Sequence, residues 1–420
     1  MLDFSDLIAS DAFAQKARHP SHPKAFTRKR KLPLSALIAA LLCMRASSQQ
    51  TLLDTFFTNL HASVAEGAEM VRDVSDRAFA KARSHLHMPA LSWLNDWVID
   101  RAQVASNVLR WRGLRLVAAD ASVLMPAIRK CHRTRFAASG EQRLFALYLP
   151  DAELTLHASV HGADTSERAM LMQALDCLGP DDVLLLDRGY PAAWLVTILC
   201  ERGIRFCMRC DKEVTGWSAV KQFLRSGAAQ AQVTLNAPSA LDVQDWGCSP
   251  DAPQVRLVRN VSSNARVRVM ATNLDPADFP WECFGELYHK RWRVEEAFKR
   301  LKHHMKLESV SGLSQQALII DVAAKVLADN LAALLCRCAV ADDDPESAPE
   351  QAVKRQCNRG YAAVAMLRML PSVLLFVGDV LAAISHTLDL LRRTTCRITA
   401  GRSSPRPKSH FKPHARYAYK

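Results

Sequence analysis

Three acidic residues stand where a carboxylate needs a reason. Asp120 follows the apolar run Leu116–Ala119 in GLRLVAADAS, Asp187 closes the run of DVLLLDRGY, and Glu295 lies among seven Lys or Arg between positions 290 and 306. A carboxylate at the edge of an apolar strand is expensive to bury without a partner. Singly, each Asp reads as a cap or turn residue, and Glu295 as half of a helical ion pair with Arg291. Together they have a more specific use. Carboxylates converging on one sheet edge repel one another and favour divalent cations, and hard oxygen ligands suit Mg²⁺ or Mn²⁺. Two such ions about 4 Å apart can activate a water or a 3′-hydroxyl and stabilise the leaving oxygen at phosphorus. Acyl transfer and nucleotide hydrolysis have no motif here, since neither G-x-S-x-G nor a P-loop occurs.

The element that carries Glu295 is the stretch Phe284 to Leu307, FGELYHKRWRVEEAFKRLKHHMKL, with no Gly or Pro after Gly285. Its apolar residues recur at helical spacing, so Leu287, Val294, Phe298, Leu301 and Met305 form one buried face. On the same wheel Tyr288, Arg291, Glu295 and Lys302 fall within roughly 60° of one another. A single helix therefore presents a phenol, a guanidinium, a carboxylate and an ammonium in one row beside its core. So much positive charge around one carboxylate suggests a polyanion crossing the helix.

The elements around these residues divide the chain into three regions, 1–110, 111–310 and 311–420. The first is mostly helical and includes a basic arm, Lys16–Lys31, with seven Lys or Arg, two His and two Pro. Such an arm suits contacts to DNA phosphates. From Leu114 the texture changes to three strands, helix, strand, helix, strand, with a hairpin turn at Pro150-Asp151, which predicts a mixed sheet with helices on its faces. Between 211 and 278 short strands with polar breaks suggest a β-rich insertion. After 311 come a long apolar helix (315–338), an acidic linker DDDPESAPE (342–350) and two further helical stretches. The tail from Arg392 carries nine Lys or Arg and no acid, and is expected to order only on DNA.

With 420 residues, 49% hydrophobic and 23% charged, the composition is that of a globular protein, and a net charge of +13 calls for an acidic partner. Nucleic acid is favoured over a membrane surface because no apolar run approaches 18 residues. The acids of the N-terminus, MLDFSDLIASDAF, do not suit a secretion signal, so a cytoplasmic, nucleoid-associated protein is expected. Twelve scattered Cys read as reduced thiols. Cys207-Met-Arg-Cys210 lacks a second pair at zinc-finger spacing.

Asp120 in DASVLMP, Asp187 in LLLDRGYP and the spacing Tyr288-x2-Arg291-x3-Glu295-x6-Lys302 resemble the DDE transposases of the insertion-sequence-four group, whose Y-R-E-K signature is matched at every interval. FTRKRKLPLS, VSDRAFAKAR and the tail KSHFKPHARYAYK share the family's look. Ala121 departs from it, since Gly more often follows the first Asp. The resemblance implies an α/β fold: an RNase H-like catalytic core with a β-rich insertion, flanked by helical N- and C-terminal regions. It implies that Asp120, Asp187 and Glu295 hold two Mg²⁺ or Mn²⁺ ions. Tyr288, Arg291 and Lys302 would then grip DNA phosphates, with Arg188 as a further contact. It also implies cut-and-paste transposition of double-stranded DNA from terminal inverted repeats, in some members through a hairpin, by a homodimer holding two ends. Relatives stack a flipped base on a Trp of the insertion, and Trp217 and Trp246 both lie in that region.

Three rival readings share parts of this pattern. A nuclease or resolvase would use the same acids to cut without joining. A non-catalytic descendant would bind DNA and leave the acids idle. A basic RNA- or ribosome-associated protein would have no use for them.

Overall fold

The computed structural model describes residues 1–28, 32–45, 49–61, 74–104, 109–126, 140–210, 217–261, 267–341 and 355–397. The chain divides into two compact units. One comprises Met1–Asn107, Leu124–Glu141 and Lys299–Lys420, and the other Val108–Val123 and Gln142–Phe298.

The second unit is built on one eight-stranded mixed sheet in the order β3-β2-β1-β4-β5-β8-β7-β6. Its first five strands are β1 (Arg115–Leu124), β2 (Gln142–Leu149), β3 (Leu154–Gly162), β4 (Asp182–Leu186) and β5 (Arg205–Arg209). β2 and β3 form the expected antiparallel hairpin. β4 pairs in parallel with β1 on one side and β5 on the other. All five β4 residues are buried, which is why that strand reads as a continuous apolar run rather than an alternation. The helices Glu167–Ala174 and Ala193–Glu201 supply the connections before and after it.

Three strands come from the 211–278 segment: β6 (Gln230–Thr234), β7 (Gln254–Val261) and β8 (Val267–Thr272). β8 pairs antiparallel with β5, and β7 and β6 follow outward. These strands extend the same sheet, and the helices Ser218–Ser226 and Ala240–Trp246 lie among them.

The stretch expected as one helix from Phe284 to Leu307 is broken. An α-helix runs over Phe284–His289, a tighter 3₁₀ turn over Lys290–Trp292, and a second α-helix over Arg293–His303. Lys306 then takes a left-handed backbone with φ of 51°. The apolar face survives the break, since Leu287, Val294, Leu301 and Met305 are all buried.

The first unit is helical. Leu34–Cys43 is buried on nearly every side, and the helix Arg359–Leu375 buries much of its length. The long helix Gln315–Ala341 is not purely apolar. Asp321, Lys325 and Asp329 recur every four residues and are all buried, one above the other on the helix. Asp321 accepts from Ser311, the Lys325 ammonium donates to the carbonyls of Lys306, Leu307 and Ser309, and Asp329 binds Arg300 and Arg359.

Of the basic arm, Lys16 and Ala17 close a helix and Arg18 bridges to Leu86, while residues 29–31 lie outside the described residues. So do the acidic linker 342–350 and the tail beyond 397. The tail's first residues are ordered by the protein itself, contrary to expectation. Arg392 and Arg393 end a helix, and Thr395–Arg397 pairs with Arg355–Cys357. Backbone pairing there needs no nucleic acid. Among the described residues no helix is long and apolar enough to cross a membrane.

Candidate active site

The parallel register of β1 and β4 fixes two of the acids. Ala118 pairs with Leu185, and two residues further along each strand stand Asp120 and Asp187. Both acids thus come at the same end of the strand pair, close enough for the charge of Asp187 to act on Asp120. Asp187 sits just past the end of β4, as its sequence context predicts. Asp120 does not end its strand, because β1 continues to Leu124. What changes there is burial: the residues before Asp120 are buried and those from Asp120 to Val123 are half-buried.

The opposite end of the same strand pair shows what a structural acid looks like. Asp182 is buried and receives two bonds from Arg115, at 2.5 and 2.6 Å, and one from the Gly179 amide at 2.7 Å. Every oxygen of Asp182 is answered. Among the described residues Asp120 and Asp187 have no such arginine to themselves.

Instead one guanidinium serves two acids. Arg291 Nη2 donates to Glu295 Oε1 at 2.8 Å, and Nη1 reaches Asp120 Oδ2 at 3.5 Å. The Arg291 side chain is 6% exposed, and its Nε has no partner among the described residues. Its positive carbon lies 5.9 Å from the Tyr288 ring and 5.8 Å from the Trp292 ring. Burial pushes the Asp120 carboxyl up to about 7; Arg291 opposes the rise, and Asp187 and Glu167 add to it. Tyr288 is buried, and burial raises its phenol above the usual range against the pull of Arg291 and Arg209.

A fourth carboxylate belongs to this cluster and was not singled out from the sequence. Glu167 opens the helix Glu167–Ala174, and burial followed by the charge of Asp187 raises its carboxyl. In the sequence it is indistinguishable from the many acids that begin helices. Tyr190 is another addition: it is fully buried, and its hydroxyl has no partner among the described residues.

Lys302 lies in the other compact unit, 3.8 Å from Glu308. Arg188 is exposed at the turn after β4. Trp246 stacks on Trp194 with centroids 4.2 Å apart, and Trp217 is 7% exposed at the start of the helix Ser218–Ser226. Both thiols of Cys207-Met-Arg-Cys210 are buried.

Among the described residues no three His, Cys, Asp or Glu side chains already stand close enough to hold a metal ion. Arg291 occupies the space between Asp120 and Glu295. The donor set nevertheless suits a hard divalent cation. It offers only oxygens, its negative charge exceeds what one arginine neutralises, and an orphaned phenol and an orphaned guanidinium nitrogen are buried beside it.

Residues 117–331, about half of the chain, match the family model described as transposase DDE domain. Comparison with curated proteins yields no significant match.

Proposed function

Because the chain belongs to the transposase DDE-domain family, and is therefore a DNA-cleaving and strand-transferring enzyme, we propose that Asp120, Asp187 and Glu295 are its catalytic carboxylates. The observation that carries this reading is the register that brings Asp120 and Asp187 to the same end of the β1–β4 pair, together with the Arg291 guanidinium shared by Asp120 and Glu295. Family membership implies an RNase H-like catalytic fold, with which the large mixed sheet is compatible. Within the family, the Y-R-E-K spacing supports the insertion-sequence-four group. On that reading 211–278 is an insertion into the catalytic domain 111–310, between a DNA-binding region 1–110 and a basic region 311–420.

The three acids would hold two Mg²⁺ or Mn²⁺ ions. When bound, such ions supply an activated hydroxyl nucleophile and stabilise the leaving oxygen at phosphorus. The chain's own contribution is arrangement and charge. Arg291 bridges Asp120 and Glu295 and offsets their charge, and would be free to pair with a DNA phosphate where bound cations supplied that charge instead. Tyr288 packs against that guanidinium and limits where it can swing. Lys302 and Arg188 are proposed as further phosphate contacts, and either Trp217 or Trp246 as the platform for a flipped base. Trp246 needs to leave Trp194 to serve.

The substrate is double-stranded DNA, bound at terminal inverted repeats, cut out and joined to a new target by a homodimer that holds two ends. The net charge of +13 supports a polyanionic partner, and the site of action would be nucleoid DNA in the cytoplasm. The test is excision and joining of a plasmid that carries the element's own ends, with Mg²⁺ or with EDTA, by wild type and Glu295→Ala. Joined products only with metal, and a variant that binds ends yet neither cuts nor joins, uphold the reading. Cutting that never yields joined strands replaces it with a nuclease, and binding without any cutting leaves a DNA-binding protein.

A further inference from the structure

Glu167 stands where an acid is hard to justify on structural grounds alone. Acids are favoured in the first turn of a helix because they face unpaired amides. Here the Ser166 hydroxyl already accepts from one of those amides, that of Ala169, at 3.2 Å. The Glu167 carboxylate is aimed at another carboxylate instead. A Cβ built on Gly189 would lie 3.0 Å from Asp187 Oδ1 and 3.2 Å from Glu167 Oε2. The two oxygens thus lie within 3.2 Å of one point, in space that a side chain at residue 189 would enter.

The arrangement is fixed from both ends. Arg168, the residue after Glu167, donates to the carbonyls of Tyr190 and Pro191 at 3.1 and 3.0 Å, which ties the helix start to the turn that carries Asp187. Asp187 Oδ1 accepts from the Gly189 amide at 2.7 Å and is held by that same turn. A chain that wanted these carboxylates apart could relax either tie. Burial and the charge of Asp187 nevertheless outweigh Arg143, Arg291 and Arg168 and raise the Glu167 carboxyl, and Arg291 is engaged by Glu295 and Asp120.

A second observation points to a ligand. Tyr190, between the two ties, is fully buried, its hydroxyl has no hydrogen-bond partner among the described residues, and it feels the charges of Glu167, Asp120 and Asp187. An orphaned buried hydroxyl within the field of three acids loses the hydration it had in water and regains nothing. A cation with its water shell supplies both missing terms, since it neutralises the carboxylates and brings oxygens to a waiting donor.

We propose that Glu167 is a fourth carboxylate of the catalytic centre and shares one divalent cation with Asp187. The inference rests on the metal-ion reading given above and goes beyond its three acids. Glu167 then works as a ligand of one ion, while Asp120 and Glu295 are the pair that Arg291 spans in the metal-free protein.

The test uses the full chain and MnCl₂ alone as the probe, with free Mn²⁺ followed by electron paramagnetic resonance or binding heat followed by calorimetry. Wild type is compared with Asp187→Asn, Glu167→Gln and Glu167→Asp. Both amide variants are expected to lose at least tenfold in Mn²⁺ affinity, and Glu167→Asp, which keeps the charge on a shorter stem, to lose less. Glu167→Gln also removes a like charge, so its metal-free melting temperature should equal or exceed that of wild type. An acid that merely starts a helix would show the reverse, with lower stability and unchanged affinity. If Asp187→Asn weakens binding while both Glu167 variants bind as wild type does, Glu167 is not a ligand and the three-acid centre stands. If no variant changes Mn²⁺ binding, the metal-ion reading falls as a whole.

Discussion

Arg291 donates to Glu295 across a change of winding: the arginine lies in a 3₁₀ turn and the glutamate in the α-helix that follows. Three residues per turn advance the chain faster than 3.6 do, so the break re-aims the guanidinium relative to a straight helix. Its other arm reaches Asp120 on β1. Removing it leaves two half-buried carboxylates facing each other. Arg291→Ala should therefore lose roughly 1–3 kcal/mol of stability in EDTA, the usual value of a charged hydrogen bond. Most of that loss should disappear in Mg²⁺, because the cation takes over the neutralisation. Denaturant melts with and without metal check this, and an equal loss in both conditions would mean that Arg291 is an ordinary structural residue.

The Asp120 carboxyl gives a pH dependence with a definite sign. Burial raises it from the usual 3.8 to about 7 in the folded protein. Between those values the folded chain keeps a proton that the unfolded chain has released. Metal-free stability should therefore fall as pH rises from about 4 through about 7. Asp120→Asn should flatten this slope, and saturating Mg²⁺ should reverse it by favouring the ionised form. Urea titrations in EDTA across that range measure it directly. A wild-type slope that the asparagine variant leaves intact would assign the titration to another group.

Much of this architecture was legible because the relevant signals are local. The β4 run VLLL is apolar on both faces, so it declares a central strand, and the acid that follows it can only sit at the sheet's edge. The fixed intervals from Tyr288 to Lys302 lie on one stretch of chain and need no fold to be seen. Non-local terms were hidden. Nothing in RVEEAFKRLK announces that the preceding turn is wound as 3₁₀, because the register between Arg291 and Asp120 is set by a strand about 170 residues earlier. Glu167 was invisible for the same reason: its meaning comes from Gly189 and Tyr190, which approach it only when the helix folds back onto the turn after β4. The helix Gln315–Ala341 reads as apolar on average, and averaging hid the buried ladder Asp321, Lys325, Asp329.

Gly189 offers a test of the open space beside Asp187. An alanine there brings its Cβ to 3.0 Å from Asp187 Oδ1 and 3.2 Å from Glu167 Oε2, closer than carbon and oxygen normally pack. The turn is exposed and can shift slightly, so stability should change by no more than about 1–3 kcal/mol, the ordinary cost of overpacking. Activity should fall much further, by about 100-fold, because a displacement near 1 Å at the reacting groups has that effect. Strand-cleavage rates measured beside a thermal melt separate the two. Parallel losses in both would make Gly189 a folding residue only.

The buried ladder carries the last expectation. Asp329 is 1% exposed and receives Arg300 at 2.8 Å and Arg359 at 3.0 Å. Burial opposes its charge, yet Arg359 and Arg300 together outweigh burial and hold the carboxyl below its usual range. A lowered carboxyl contributes stability above its unfolded value and loses it as pH falls through the folded one, which is the opposite slope to Asp120. Asp329→Asn keeps the shape but leaves two buried guanidiniums without an anion. It should cost about 3–5 kcal/mol, the penalty for stripping one partner from a buried pair. It should also remove part of the acid-side decline in stability below about pH 4. Because Arg300 lies on the same helix as Glu295, the loss of its anchor should lower cleavage at temperatures where the variant is still folded. A variant as stable as wild type at neutral pH, with an unchanged acid limb, would show that the two arginines find other anions and that Asp329 does not hold them.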